Sequence, residues 1–585
     1  MTHRQAARRT KIGAALAALL LAVGCSSLPD SGSVRTVKRA DGNTLPEPPY
    51  FQPPGPGAGD SREAIVRGFL TAMEANPVNI RAARTFLSAG AGDAWRPTAQ
   101  TLVYQAAAIE VRDDEVTVRL NGVSRLTAQG TWLPGRVAKR ELHLGLVREK
   151  GEWRIDTPPN ALIVGAAFFR STFAPYSVYF YDNTGQVLVP RVVHLPRGEQ
   201  TASNLVRALL SGPDALIRPV ASSAFPRSTE LDLAVTVNRN GTAEVPVSPN
   251  VLNMAPREVS RAIMQLTWTL RPIPGIDRVE ITVDGVPVTL DDGRTGQPVD
   301  EGQDLASYGS RTSRLPVAVR NGRVVVVDND EVTATDGPLG RRGFALRSVA
   351  QSRDAADLVA ISEDGTKAYA AAMTGVDDAV QIATGADFGR PVIDGHGLVW
   401  LLDRTSSGAR VLVRDGQRTR ALTLPGVTGR NVRALAVSPD GVRVAALINS
   451  GPSPSVVLVN LVRGPQGAIT RVLPARTIAV ADAATVTDVG PGVDVAWRED
   501  ATLAVLSSPT EGSSRLTFLL VDGSPSQSID QPDDLNVSGA MLLVGARPDV
   551  AMGVLATDGL LHMLDAAGKW SEPGKEKYSG IAYPG

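Results

Sequence analysis

The 585-residue sequence predicts a multidomain protein, an α+β domain and an α/β-type domain followed by an all-β propeller of five or six blades. Three observations carry that prediction. At roughly 150 residues per domain the chain is long enough for three or four cores, and 43% of its residues are apolar, enough to fill them. Before residue 295, stretches of helical hydrophobic spacing are interleaved with stretches of strict alternation, the mark of mixed helix and sheet. From about residue 311 onward no long helical period remains, and short β-rich runs are punctuated by Gly and Asp.

The N-terminus comes first. Arg4, Arg8, Arg9 and Lys11 precede the apolar stretch Ile12–Val23. About a dozen apolar residues fall short of the ~20 that a permanent membrane-spanning helix needs, but match the core of a signal peptide, so 1–24 read as a cleaved leader. Leu21-Ala22-Val23-Gly24-Cys25 resembles the bacterial lipobox, with Ala22 where family patterns usually carry Leu. The resemblance implies cleavage between Gly24 and Cys25 and acylation of Cys25 by a diacylglyceryl group, with palmitate-type chains. Two chains meet the two-signal requirement for stable anchoring, which would hold the protein on the extracytoplasmic face of the cell membrane. Arg8-Arg9 also suggests a twin-arginine signal, although Thr10 and Lys11 follow it, and the export route stays open between the general and twin-arginine pathways. Cys25 is the only cysteine, so the fold must stand in an oxidising compartment without disulfides.

Residues 25–60 follow as a lipidated cysteine and a Pro/Gly-rich tether ending in PEPPYFQPPGPGAGD. Such a stretch buries too little apolar surface to offset the entropy of ordering, and its prolines favour an extended chain. At ~3.1 Å per residue its reach is at most about 100 Å. A spacer of selected length and a leader of no selected length fit it equally.

Residues 61–160 form the predicted α+β domain. Ser61 is a plausible N-cap with Glu63 in the first turn, and Ile65, Val66, Phe69, Leu70 and Met73 recur at helical spacing. A second short helix fits Ile80–Leu87. EVTVRLNGV, RLTAQGTWL and KRELHLGLVREKGEWRID then alternate as strands. Helices first and a curved antiparallel sheet after resemble a nuclear-transport-factor-2-like cone. Trp95, Trp132 and Trp153 read as core residues, and His143 as a satisfied surface or core histidine.

Residues 166–295 form the α/β-type domain. YSVYFYDNTGQVLVPRVVHLP reads as a hairpin turning at Asn183–Gly185, and EQTASNLVRALLSGP as a helix stopped by Gly212-Pro213. Leu231, Leu233, Val235 and Val237 alternate as a strand, Asn240-Gly241 turns the chain, a helix runs from about Arg257 to Leu270, and RVEITVDGVPV closes the unit. This order resembles the GerMN domain of spore-germination and cell-envelope proteins. The resemblance implies engagement of the cell wall or of other envelope proteins and brings no catalytic residue.

In residues 311–585, VAISEDGTKAYAAA from Val359, LAVSPDGVRVAALI from Leu435 and DVAWREDATLAVLS from Asp494 can be overlaid as strand, polar turn and strand. Their turns hold Asp364, Asp440 and Asp500, where Asp accepts local backbone hydrogen bonds and Gly supplies positive φ. VIDGHGLVWLLD and VLATDGLLHMLD look like the equivalent strands of other blades, and the SPDG turn resembles those of TolB-like propellers.

The sequence holds no HExxH, GxSxG, Walker A or paired-cysteine motif. His143, His194, His396 and His562 fall on separate segments without metal-ligand spacing, and the acidic run Asp328–Glu331 lacks the glycine and distal glutamate of a calcium loop. No catalytic residue, cofactor or metal is expected. Lys+Arg and Asp+Glu both number 60. No basic block follows the N-terminus, so nucleic acid is excluded as a partner. The order lipobox, tether, cone-like domain, GerMN-like domain and propeller resembles the LpqB family of actinobacterial lipoproteins. That resemblance implies an accessory modulator of a two-component system, binding the extracytoplasmic domain of a sensor histidine kinase of the MtrB type and influencing envelope homeostasis and cell division. The alternative is a peptidoglycan-binding lipoprotein, with cell-wall glycan as the partner and indirect effects on signalling.

Overall fold

The computed structural model describes residues 50–585 apart from 113–114, 309–311, 329–330, 450, 452, 481–488, 526–530, 546–549, 566 and 572–573, with the backbone alone at 134–137. The expected leader, Gly24, Cys25 and most of the tether lie outside the described residues, as do two of the four residues of the acidic run at 328–331.

The first helix, Arg62–Ala72, begins where the Ser61 hydroxyl accepts the Ala64 N–H at 3.2 Å. Its stripe of Ile65, Val66, Phe69 and Leu70 is buried against a sheet ordered Glu152–Ile155, Trp132–Glu149, Glu115–Thr127, Gln100–Tyr104, Leu162–Gly165. The expected antiparallel sheet has one parallel pair. Leu162–Gly165 runs alongside Gln100–Tyr104 in the same direction, and this core continues to Phe169 and Phe173. The expected helix at 80–87 shortens to Arg81–Arg84. Trp95 and Trp132 are core residues. Trp153 is only half-buried, with the Arg62 and Arg148 guanidinium carbons 4.5 and 4.8 Å from its ring centroid. His143 is exposed, with Nδ1 3.3 Å from a Glu115 carboxylate oxygen.

The second domain opens on the hairpin Phe173–Asp182 and Leu188–Pro196. The Asp182 carboxylate fixes its turn by accepting the N–H groups of Thr184, Gln186 and Val187 at 3.1–3.2 Å. Helix Thr201–Leu210 follows, and helix Pro256–Leu270 packs against it. The latter helix is the crossover between strands Thr242–Pro246 and Arg278–Val283, which pair in parallel as such a connection requires. The expected strand over Leu231–Val237 is a correction: only Thr236–Val237 pairs as a strand, and Leu231 makes a single bridge to Val247. Leu231 and Val235 pack on the core while Leu233 and Val237 face solvent, and the Val235 N–H is taken by the Ser203 hydroxyl rather than by a neighbouring strand. The apolar alternation is present, but side chains, not a ladder, satisfy that backbone.

The C-terminal half is a propeller with six blades among the described residues. The inner strands of blades 2 to 6 are Leu346–Gln351, Val392–Ile393, Val432–Val437, Gly492–Glu499 and Gly539–Leu543. Blade 1 is built from both ends of the region. Val317–Arg320, Arg323–Asp328 and Glu331–Ala334 come from its start, and Gly580–Ala582 returns to pair with Val317–Val319 as the innermost strand. The ring is thus closed by hydrogen bonds between the two termini of the domain, leaving no open seam.

The overlay of repeated segments needs one correction. The segments from Leu435 and Asp494 span the inner and second strands of blades 4 and 5, whereas the segment from Val359 spans the second and third strands of blade 2. The true equivalent in blade 2 is Ser352-Arg353-Asp354-Ala355. There the Ser352 hydroxyl donates to Asp354 at 2.7 Å, as the Ser438 hydroxyl does to Asp440, and Ala355 takes φ 56° where Gly441 takes 70°. An alanine at the positive-φ position hides the repeat.

Candidate functional site

The turns leaving the inner strands meet the second domain, and the opposite ends of those strands frame an open mouth. At the covered end, strand Leu188–Pro196 lies against blades 4 and 5. Val192 joins their core, and Val442 of blade 4 joins the core of the second domain. Asn460 donates to the Leu216 carbonyl at 3.0 Å. The Ser307 hydroxyl, in the segment that links the two domains, donates to Asp500. The sequence pattern has Asp500 organising its own turn. Instead it is part-buried at this interface, where burial, together with the Asp440 and Glu499 charges, pushes its carboxyl up to about 6 against the opposing pull of Ser307 and Arg443.

His194 is where three domains converge. Its Nε2 lies 2.8 Å from an Asp522 carboxylate oxygen of blade 5, and both groups are buried. Its ring lies 5.7 Å from Trp132 of the first domain and 5.7 Å from Phe169. The His194 backbone N–H donates to the Gly130 carbonyl at 2.7 Å. Burial alone would raise the Asp522 carboxyl, but the His194 charge and hydrogen bond, with the Ser524 N–H, outweigh it and hold the carboxyl below its ordinary value. Gly130 has φ 78°, and a Cβ there would stand 2.5 Å from the His194 carbonyl oxygen, so only glycine fits this contact.

Inside the propeller, arginines tie blades together. Arg463 donates to Asp394 at 2.7 Å and to the Gly441 and Gly467 carbonyls, joining blades 3 and 4 with both side chains of the pair buried. Arg443 pairs with Asp440 and donates to the Asp500 carbonyl at 2.8 Å, joining blades 4 and 5. Two arginines cross the channel itself. Arg353 of blade 2 reaches the Pro439 carbonyl of blade 4. Arg390 of blade 3 donates to the Leu542 carbonyl of blade 6 at 2.6 Å and to Asp494 of blade 5 at 3.3 Å. Arg390 divides the channel. Below it an 80 Å³ space is walled by Gln351, Trp497, Tyr583 and Gly585; above it a 240 Å³ cavity forms the mouth. His396 stands at the covered end, where burial, then Arg463, lowers its imidazole pKa against the pull of Asp394 and Asp182.

The four histidines among the described residues are not brought together. His143 and His194 belong to different domains, and His396 and His562 to different blades. His194, Arg353, Arg390 and Asp500 carry contacts that no sequence pattern marks; His194 and Asp522 are 328 residues apart.

The fold and this junction define a class: a three-domain protein whose six-bladed propeller has one face occupied by a GerMN-like domain and the other left uncovered by the described residues. Family models match in the same order: the N-terminal domain of lipoprotein LpqB over 55–170, the sporulation and spore-germination domain over 177–289, and the lipoprotein LpqB β-propeller domain over 322–577. Lipoprotein LpqB of Cutibacterium acnes is 26% identical over 95% of this chain and 96% of its own length. Lipoprotein LpqB of Streptomyces avermitilis is 25% identical over 97% and 96%. The chain belongs to the LpqB lipoprotein family. Among solved structures, the first GerMN domain of the Bacillus subtilis sporulation protein GerM is 25% identical, covering 22% of this chain and 96% of that one with a TM-score of 0.18. TolB from Acinetobacter baumannii is 12% identical, covering 57% and 86% with a TM-score of 0.34.

Proposed function

We propose that the protein is anchored through acylated Cys25 to the extracytoplasmic face of the cell membrane, and there acts by binding, as an accessory modulator of a two-component sensor kinase of the MtrB type. On this reading it performs no catalysis, and its effects on envelope homeostasis and cell division pass through the kinase. The observation that carries the reading is the full-length relation to the LpqB lipoproteins, with all three domains in the same order. The architecture supports it physically. One propeller face is consumed by internal docking, and the open face is left to a partner. A bound partner shifts a kinase only through a difference in affinity for its two states.

The test is crosslinking of the full chain in native membranes, followed by mass spectrometry, with kinase autophosphorylation measured in the same membranes. Crosslinks to the kinase's sensor region and a changed phosphorylation rate on removing the lipoprotein are expected. Retention on purified peptidoglycan with no kinase crosslink would instead assign the protein to wall binding.

A further inference from the structure

We propose that the arginine-lined mouth of the propeller channel is a binding site for a small doubly charged oxyanion of the phosphate and phosphate-monoester class. The inference concerns the mouth alone and does not depend on the signalling role.

The mouth is the 240 Å³ cavity at the start of the inner strands. Four arginines line it, Arg347, Arg390, Arg404 and Arg433. Two carboxylates answer them. Asp387 takes Arg347 at 2.6 Å and Arg404 at 2.8 Å, and Asp494 takes Arg390 at 3.3 Å. Two positive charges are therefore left unbalanced around one small cavity.

The imbalance is local. Among the described residues no hydrogen bond or ion pair reaches the Arg433 guanidinium. Burial, and then the positive charge of Arg404, depress its pKa, as expected of a cation facing another cation. Two further polar atoms on the same lining lack partners. Arg404 Nε is buried with nothing to donate to, although the rest of its guanidinium is engaged. Ser348 is 3% exposed and its hydroxyl is likewise unpartnered. Buried polar groups without partners are rare in native proteins, and two of them on one cavity wall, beside the solvent-exposed and unpaired guanidinium of Arg433, call for a shared acceptor. Water could take the hydroxyl and the Nε proton but would leave two positive charges uncompensated. A dianion with several oxygens meets both needs. Guanidinium forks match phosphate oxygens two at a time, and charge-assisted hydrogen bonds of this kind are the strong ones.

Size sets the upper limit. Drug-sized ligands occupy pockets of roughly 300–1,000 Å³. The mouth is smaller, and Arg390 closes its floor. It suits a phosphoryl group alone or at the end of a chain that extends into solvent.

The experiment is isothermal titration of the full chain, purified in detergent at low ionic strength, with inorganic phosphate and separately with glycerol 3-phosphate. One phosphate per chain is expected, with affinity falling about tenfold or more in Arg433→Gln and partly restored in Arg433→Lys. Arg433→Gln should melt with the parent protein, because its side chain has no internal partner to lose. Arg418→Gln, exposed on the outer strand of blade 3, should bind as the parent does. Equal binding of both probes assigns the site to the phosphoryl group in general; binding of phosphate alone assigns it to the free ion. No binding of either probe, equal affinity in Arg433→Gln, or displacement of phosphate by an equal concentration of chloride would overturn the proposal.

Discussion

Replacing Asp500 with Asn should stabilise the protein, and the gain should fade with acid. Asp500 sits between the second domain and blade 5, its carboxylate accepting the Ser307 hydroxyl and standing near Asp440 and Glu499. Its carboxyl is raised from 3.8 to about 6, burial being the largest cause. In the unfolded chain the same carboxyl is ionised above pH 4, so between about pH 4 and 6 the folded state holds the extra proton. Stability from this group is therefore fully present below the unfolded value and is lost as pH rises through about 6. A tenfold change in proton affinity is worth about 1.4 kcal/mol, which caps the cost of the charged form at roughly 3 kcal/mol at neutral pH. Because the residue is only part-buried, solvent screening brings the expected gain to about 1–3 kcal/mol.

Asparagine keeps an oxygen for Ser307 and carries no charge. Asp500→Asn is expected to raise the unfolding midpoint of the propeller transition at pH 7.5 by about 2–12 °C, using roughly 2–4 °C per kcal/mol for a domain of this size. At pH 4.5, where the folded carboxyl is already protonated, about a third of the gain should remain. The assay is scanning calorimetry of parent and variant at both values. A loss of stability in the variant, or an equal gain at both pH values, would show that the Asp500 charge is compensated at the interface and refute the reasoning.

Four further outcomes are expected. His194→Ala leaves Asp522 as a buried charge without its partner, at a cost of about 3–5 kcal/mol; the loss should appear as earlier melting and as faster proteolysis between the first two domains, with Gln in place of His recovering part of it. Gly130→Ala forces a side chain onto the His194 carbonyl at a positive φ, so the same junction should loosen by about 1–3 kcal/mol while the isolated cores stay folded, measured by hydrogen exchange of strand Leu188–Pro196. Ending the chain at Ser579 removes the innermost strand of blade 1 and exposes the edge of Val317–Arg320, which should abolish the cooperative propeller transition and promote aggregation. Cys25→Ala should abolish acylation and release the protein from the membrane fraction, and unchanged partitioning of that variant would refute the anchoring role of Cys25.

The elements legible in the sequence are those whose chemistry is local. Ser61 capping its helix, the turn at 183–185 and the helix closing before Gly212-Pro213 each need only neighbouring residues, and each stands where the pattern places it. The blades are legible as a kind of structure, but their phase is not. Ala355 occupies the turn position that glycine marks in blade 4, so the pattern sets the blade 2 repeat one strand too far along. Leu231–Val237 has the composition of a strand, yet Ser203, 32 residues away, takes the backbone proton that a ladder would have used. The junction is not legible at all. His194 and Asp522 look like an ordinary strand histidine and an ordinary turn aspartate until the domains dock. The same holds for Arg390, whose partners belong to two blades more than 100 residues further on.

That hidden chemistry bears on how the proposed modulation of a kinase would work. Interfaces between domains of one chain are by default modest and permit relative motion. Here the contact between the second domain and the propeller includes a buried imidazole–carboxylate pair, and the contact between the first two domains includes a glycine that tolerates no side chain. Buried charges of this sort add little net stability over apolar packing, but misdocked arrangements would leave them unpaired at a cost of several kcal/mol. They therefore select one arrangement of the domains more than they strengthen it. A partner meeting the open propeller face then meets a body whose other two domains are fixed relative to that face. Regulation would follow from which kinase state fits that body, and mutations at the junction, far from any partner, should weaken the effect by letting the domains separate. A His194→Ala variant that bound the kinase and altered its phosphorylation as the parent does would count against a fixed body and in favour of a propeller acting alone.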